Sequence, residues 1–484
     1  MNWTQSQRET IETRNKNILV SAAAGSGKTA VLIERIKRLV IEEKTDIDRF
    51  LITTFTNAAS AEMKARLEKA IREELEKKEA DRGFLKRQLS LIPKANISTF
   101  HTFALEIMRR YFYITDLEPG FKIGDETEIS IMKNESADQL FEERFTNDYD
   151  RFKEFLKKYS SDRNENKIKK NIISLYNEMR SIPDYMRWVK EKTELLKSPS
   201  PAEALGLLEF ISDEISERLQ DAFRLYEKAA EVLDETGIEG LCGKAFEDAG
   251  RIFDVIEKAE AKTLVAERLD VFSAFLSDIK FNQMRVSKEQ KEIYEDVKEI
   301  VASLRKNGKK ILDDLKKRYF QRSLREYDTE LKNGYEDTCY MMGLISEFEN
   351  IFKQKKADRN MVDFDDVMHY AIDILKDDMV SAEYKERFKY IFIDEFQDSN
   401  MLQESIVERI AGNNNLFMVG DVKQSIYKFR LAEPEIFKRK YYEYSQPSQV
   451  ESIKIDLNNN FRSKRRITET VNRVFESVME DYDD

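Results

Sequence analysis

The sequence is short of the residues that staple or coordinate. Two cysteines, Cys242 and Cys339, and two histidines, His101 and His369, are all that its 484 residues contain. Neither pair has metal-ligand spacing, so zinc sites and disulfide frameworks drop out as organising principles. Proline (7) and glycine (15) are scarce as well, while 36% of the chain is Asp, Glu, Lys or Arg. Few breakers among many charges favour long solvated helices over a β-rich fold. No apolar run reaches membrane length and no leader pattern opens the chain, so a cytoplasmic protein is expected. An excess of basic charge is missing too: 81 Lys and Arg against 92 Asp and Glu give a net −11. A nucleic-acid partner would have to be met by local basic or aromatic patches.

What glycine there is includes a cluster in Asn17 to Thr29, Asn-Ile-Leu-Val-Ser-Ala-Ala-Ala-Gly-Ser-Gly-Lys-Thr. Ile18 to Val20 reads as a short buried strand, Ala22 to Gly27 as a loop of small residues, and Ala30 to Ile41 as an apolar-periodic helix. Strand, tight loop and helix in that order make a phosphate cradle. Backbone N–H groups of Ala24, Gly25, Ser26 and Gly27 surround the phosphates, Lys28 reaches the β and γ oxygens, and Thr29 offers a hydroxyl to Mg²⁺. Ala22 stands where such loops usually have their first glycine. ATP and Mg²⁺ are the expected ligands.

Length predicts roughly three domains or one elaborated one. Residues 1–120 alternate strand and helix, with further strands over Phe50 to Phe55 and Asn96 to Thr99. From 121 to 360 no strand pattern survives, and Lys- and Glu-rich helical periods point to one large insertion of one or two lobes. The α/β alternation resumes over 361–446, with strands at Phe388 to Ile393 and Leu416 to Val419. Residues 447–484, with a strand from Ile453 to Leu457 and a terminal helix, are expected to begin a second core. Strands separated by helices imply a parallel, doubly covered sheet.

Asp394 and Glu395 close the strand Tyr390 to Ile393, where parallel sheets present ligands. Asp394 is expected to hold Mg²⁺ and Glu395 to orient and deprotonate water. After the next strand, Gln424 is set to touch the γ-phosphate, and Tyr427, Phe429 and Arg430 to stack on bases or bind phosphate. Core packing is an equal alternative for Tyr427. Phe461 and Arg462 offer a ring and a cation, the latter as a finger on the γ-phosphate.

In order and placement, these segments resemble the superfamily 1 DNA helicases of the UvrD/PcrA/Rep type. Trp3-Thr4 with Gln7 is similar to their adenine-reading motif, so the resemblance implies that Gln7 and Phe461 contact the nucleotide. Thr54-Phe55-Thr56-Asn57-Ala58-Ala59 and Ser98-Thr99-Phe100-His101-Thr102-Phe103 resemble the two motifs that grip single-stranded DNA. They imply contacts from Phe55, Thr56, Asn57, Thr99, Phe100 and His101, although a lone histidine is as readily a structural residue. Asp363-Phe364-Asp365-Asp366 resembles the short acidic motif upstream of the catalytic acids. Val-Lys-Gln-Ser-Ile-Tyr-Lys-Phe-Arg-Leu-Ala-Glu-Pro and the Trp-Thr opening are closest to the AddA-type motor-nuclease subunits of AddAB recombination complexes.

That resemblance implies RecA-like cores, ATP-driven 3′-to-5′ movement on single-stranded DNA, unwinding from duplex ends, and an AddB-like partner subunit. Phe461 replaces a frequent Tyr, and Phe429 replaces a Trp of some relatives. Later motifs and the nuclease have no counterpart here. The chain is therefore expected to be an N-terminal portion, weakly active alone because no packed sheet holds Arg462. A stand-alone repair helicase and a nucleotide-binding scaffold without motor activity are the alternatives.

Overall fold

The computed structural model describes residues 3–77, 81–159, 165–286, 290–427, 432–446 and 450–476. In chain order its strands are β1 (Asn17–Ala22), β2 (Phe50–Thr53), β3 (Asn96–Ser98), β4 (Lys122–Ile123), β5 (Met361–Val362), β6 (Tyr390–Ile393), β7 (Leu416–Gly420) and β8 (Ser452–Leu457). Six of them form one parallel sheet in the order β3-β2-β6-β7-β1-β8. The first helices are α1 (Gln5–Glu12), α2 (Lys28–Ile41), α3 (Asn57–Leu75), α4 (Arg82–Leu91) and α5 (Phe100–Tyr111).

Both sheet faces are covered, which is why the strands read as near-continuous apolar runs. Side chains alternate between the faces. Ile18, Val20, Ile52, Phe392 and Val419 pack with Val31, Leu32 and Ile36 of α2 and Met63 and Leu67 of α3. Leu19, Leu51, Ile391, Ile393 and Met418 pack on the other side with Phe103 and Ile107 of α5 and with the helices Phe364–Ile374 and Met401–Ile410.

One expectation is revised here and another is made more specific. The strand assigned to a second core joins the first: β8 pairs with β1 from Asn17↔Ser452 to Ala22↔Leu457. Its buried Ile455 and Leu457 add to the same apolar layer as Val20, so the edge beside β1 is covered from within this chain. The range 121–360, expected as an insertion of one or two lobes, is shared between two units. The chain divides into Met1–Tyr185 with Leu344–Asp484, and Met186–Gly343. Helices Glu126–Asn147, Tyr149–Tyr159 and Glu165–Met179 belong to the first unit. At its entry and return the excursion is tied by the parallel ladder of β4 and β5.

The second unit contains no strand among the described residues. Its helices Leu207–Asp234, Glu239–Glu260 and Lys291–Tyr319 enclose Leu219, Tyr226, Ile252, Phe272 and Leu312. Fully buried Asp248 is balanced there by Arg305 at 2.8 Å and by the Asn282 N–H.

Candidate nucleotide and nucleic-acid site

The loop after β1 turns on two glycines in the left-handed region, Gly25 (φ 76°) and Gly27 (φ 88°), a conformation that costs a side-chain-bearing residue dearly. Gly27 is the N-cap of α2 and provides no side-chain cap, so the first N–H groups of that helix are left for an external acceptor. Ser26 is buried with an unpartnered Oγ. Gln7 pins the loop from behind: its Nε2 donates to the Ser26 carbonyl at 3.0 Å, while its Oε1 caps Thr4 N–H. Lys28 and Thr29 start α2.

From the C-terminal end of β6, Glu395 Oε2 meets Lys28 Nζ at 3.1 Å. Glu395 sits at φ 51°, a strained setting for a non-glycine residue. Burial, then the neighbouring Glu395 charge, pushes the Asp394 carboxyl up from its ordinary 3.8 to about 6. Asp398 rises to about 6 for the same two reasons. Gln424 Nε2 donates to Asp421 Oδ2 at 2.6 Å, at the end of β7.

The segment after β8 comes back to the glycine loop. Asn460 Nδ2 donates to the Ala24 carbonyl at 2.8 Å, and Phe461 N–H to the Gly25 carbonyl at 2.8 Å. A Cβ on Gly25 would lie 2.7 Å from Asn460 Oδ1 and 3.0 Å from Arg462 Cβ, so the two segments touch. Arg462 therefore does have a sheet close by in sequence, the β8 edge that ends at Leu457. The Phe461 ring is 62% exposed.

Around the ends of β2, β3 and β6 opens a cavity of about 900 Å³. Phe55, Thr56, Asn57, Thr99, Phe100 and His101 line it together with Asp394, Glu395 and Asp398. Thr56 and Thr99 are the N-caps of α3 and α5, so two helix N-termini open beside this space. Tyr427 packs on Phe55 with ring centroids 4.6 Å apart and stays half-buried, so its ring belongs to an aromatic pair rather than to the deep core. Phe100 is 6% exposed and belongs chiefly to the core. His101 stacks on Phe364 at 3.7 Å, and burial pushes its imidazole down to about 4, so it is neutral at pH 7. Phe429 and Arg430 lie outside the described residues.

A profile of the UvrD/REP helicase N-terminal domain matches residues 3–445. The chain belongs to this family. Among curated relatives, it is 37% identical over 479 residues to the A subunit of an ATP-dependent helicase/nuclease from Alkaliphilus metalliredigens, covering 99% of this chain and 39% of that protein. Counterparts of the same name in Clostridium perfringens (strain 13) and Syntrophomonas wolfei are each 36% identical, over 99% of this chain and 38% of theirs. The chain therefore spans about two fifths of the length of the relatives it matches.

Within this UvrD/REP-type domain, the acidic motif turns out to be mostly structural. Asp363 and Asp366 cap the helix Phe364–Ile374 reciprocally and are buried with Lys356 and Arg180, at 2.7 Å for Lys356–Asp363 and for Arg180–Asp366. Burial opposes the Asp363 charge, but Lys356 and Arg180 prevail and hold its carboxyl at about 2. The cage leaves Phe364 59% exposed against His101. Sequence reasoning misses that ring, although an apolar residue between three acids at a helix start is a signal for it. It likewise gives Gln397 no role.

The raised Asp394 carboxyl carries a stability prediction. In the unfolded chain it ionises at about 3.8, in the fold at about 6, so its charge costs stability at pH 7.5 and the cost is relieved as pH falls through 6 towards 4. Asp394→Asn is expected to stabilise the fold at pH 7.5 without Mg²⁺, by up to about 3 kcal/mol. The gain should vanish near pH 4 in a calorimetric pH series. A gain independent of pH would mean that charge is not its cause.

Proposed function

We propose that this chain is the ATP-hydrolysing motor of a DNA helicase that moves 3′ to 5′ on single-stranded DNA. In the same reading it acts with an AddB-like partner in a helicase–nuclease assembly that processes duplex ends during double-strand break repair and recombination. The observation that carries it is the shared cavity, in which aromatic and helix-capping residues meet the two acids beside the glycine loop. Family membership and the words "helicase/nuclease" in the relatives' names add weight.

The roles follow from chemistry. Ala24, Gly25, Ser26 and Gly27, with the uncapped start of α2, suit a triphosphate, and the unpartnered Ser26 Oγ fits the same group. Lys28 neutralises the terminal phosphates. Thr29 and Asp394 are the protein oxygens for Mg²⁺. When bound, Mg²⁺ would neutralise phosphate charge, and the raised Asp394 carboxyl fits a group awaiting a cation. Glu395 takes the proton of the attacking water. Gln7 and the exposed Phe461 ring bracket the base, while Gln424 and Arg462 answer to the γ-phosphate. Bases stack on Phe55 and Tyr427, and Phe429 and Arg430, on the family resemblance, are further DNA contacts. Phosphates meet the α3 and α5 N-termini at Thr56, Asn57 and Thr99, while Phe100 and His101 border the strand.

Steady-state ATP hydrolysis with and without oligothymidylate tests this reading. Turnover should rise on adding the oligonucleotide; a protein that binds neither ATP nor single strands would overturn it. Tyr427→Ala should weaken oligothymidylate binding by roughly 1–3 kcal/mol with little change in melting temperature. A melting temperature that falls in step with affinity would make Tyr427 a packing residue.

A further inference from the structure

One side chain joins the loop after β6 to the loop after β7. Gln397 is 2% exposed and its amide is fully used. Nε2 donates to Glu395 Oε2 at 3.1 Å and to Asp398 Oδ2 at 3.2 Å. Oε1 accepts the Asp421 N–H at 2.9 Å, and the Gln397 carbonyl accepts from Ser425 Oγ at 3.2 Å. Gly420 is shaped to this bridge. A Cβ there would stand 2.4 Å from Gln397 Oε1 and 3.0 Å from its backbone nitrogen, so the close approach, not a special φ, requires glycine. Further along the same loop, Asp421 holds Gln424 and Tyr427 lies on Phe55.

We propose that Gln397 is a positioning residue through which occupancy of the aromatic face resets Glu395; this rests on the reading of the site as one for ATP and single-stranded DNA. An amide is planar and rigid, so a shift of Asp421 that pulls on Oε1 moves Nε2 with it. Nε2 is one of two donors on Glu395 Oε2, the other being Lys28 Nζ at 3.1 Å. Glu395 has a strained backbone, and such a conformation persists only while its surroundings over-determine it. Weakening one of two donors therefore changes where the carboxylate sits. Slack is small, because an unpaired amide at this depth is costly and the bridge must move as a unit.

Linkage makes this measurable, since coupling between two ligands is reciprocal and typically about 5–150-fold. The affinity of the purified protein for a non-hydrolysable ATP analogue with Mg²⁺ is measured with and without saturating oligothymidylate. The unaltered protein should show a ratio of at least about five. Gln397→Met keeps the volume and removes the amide; its ratio should fall to about one while each ligand alone still binds. Gly420→Ala keeps Gln397 but crowds Oε1, and should lower the ratio too, which guards against a misfolded methionine variant. Ratios unchanged in both variants overturn the proposal. So does a ratio of one in the unaltered protein when both ligands bind. If it binds neither ligand, the underlying reading of the site fails first.

Discussion

Glu395→Gln will bind Mg-ATP at least as tightly as the unaltered protein and turn it over about 10²–10⁴-fold more slowly. The amide cannot take the proton from water, which accounts for the loss. Undiminished binding has a separate cause. Lys28 Nζ is paired with Glu395 Oε2 at 3.1 Å, so phosphates must compete with that carboxylate for the ammonium. Removing the charge removes the competitor. Equilibrium titration and single-turnover hydrolysis separate the two effects. Near-normal turnover would assign the base elsewhere, and Asp398 would be next, with its buried, unpartnered Oδ1 and a carboxyl pushed up to about 6.

Lys28→Ala should weaken ATP binding by roughly 2–5 kcal/mol, the range for deleting one partner of a desolvated charge pair, or about 30-fold to several thousand-fold in Kd. Its side chain is 13% exposed, so solvent screens it little. The same change strips Asp394, Glu395 and Asp398 of the cation nearest to them, and the melting temperature should fall slightly at pH 7.5 and less at pH 5, where Asp394 and Asp398 are largely protonated. Unchanged nucleotide affinity would remove the glycine loop from the site.

Much of this is legible in the sequence because local signals and tertiary demands agree. The apolar runs at Ile18, Phe50, Tyr390 and Leu416 are strands, and the small-residue loop before Lys28 has its glycines where φ is positive. Strand ends are less legible: Phe388 reads as strand by type but caps the helix Asp378–Arg387. β8 is misread because its partner lies far back in the chain, and no periodicity reports such a pairing. Phe100 shows motif and packing in conflict, since its spacing to Phe103, Ala104 and Ile107 already marks a core stripe. The Gln397 bridge is invisible in one dimension because it depends on Gly420 and Asp421, which reach it only through the β6–β7 pairing.

The position of β1 has a consequence for biosynthesis. It is made long before either of its sheet neighbours, β7 and β8. The hydrogen bond from Leu416 N–H to Asn17 Oδ1 spans 399 residues. On the ribosome, Ile18, Leu19 and Val20 must wait, unpaired, while that stretch emerges at about 5–20 residues per second. The nucleotide loop should therefore be absent from shorter nascent chains, and release from the ribosome before Leu416 should yield a species that binds chaperones rather than ATP.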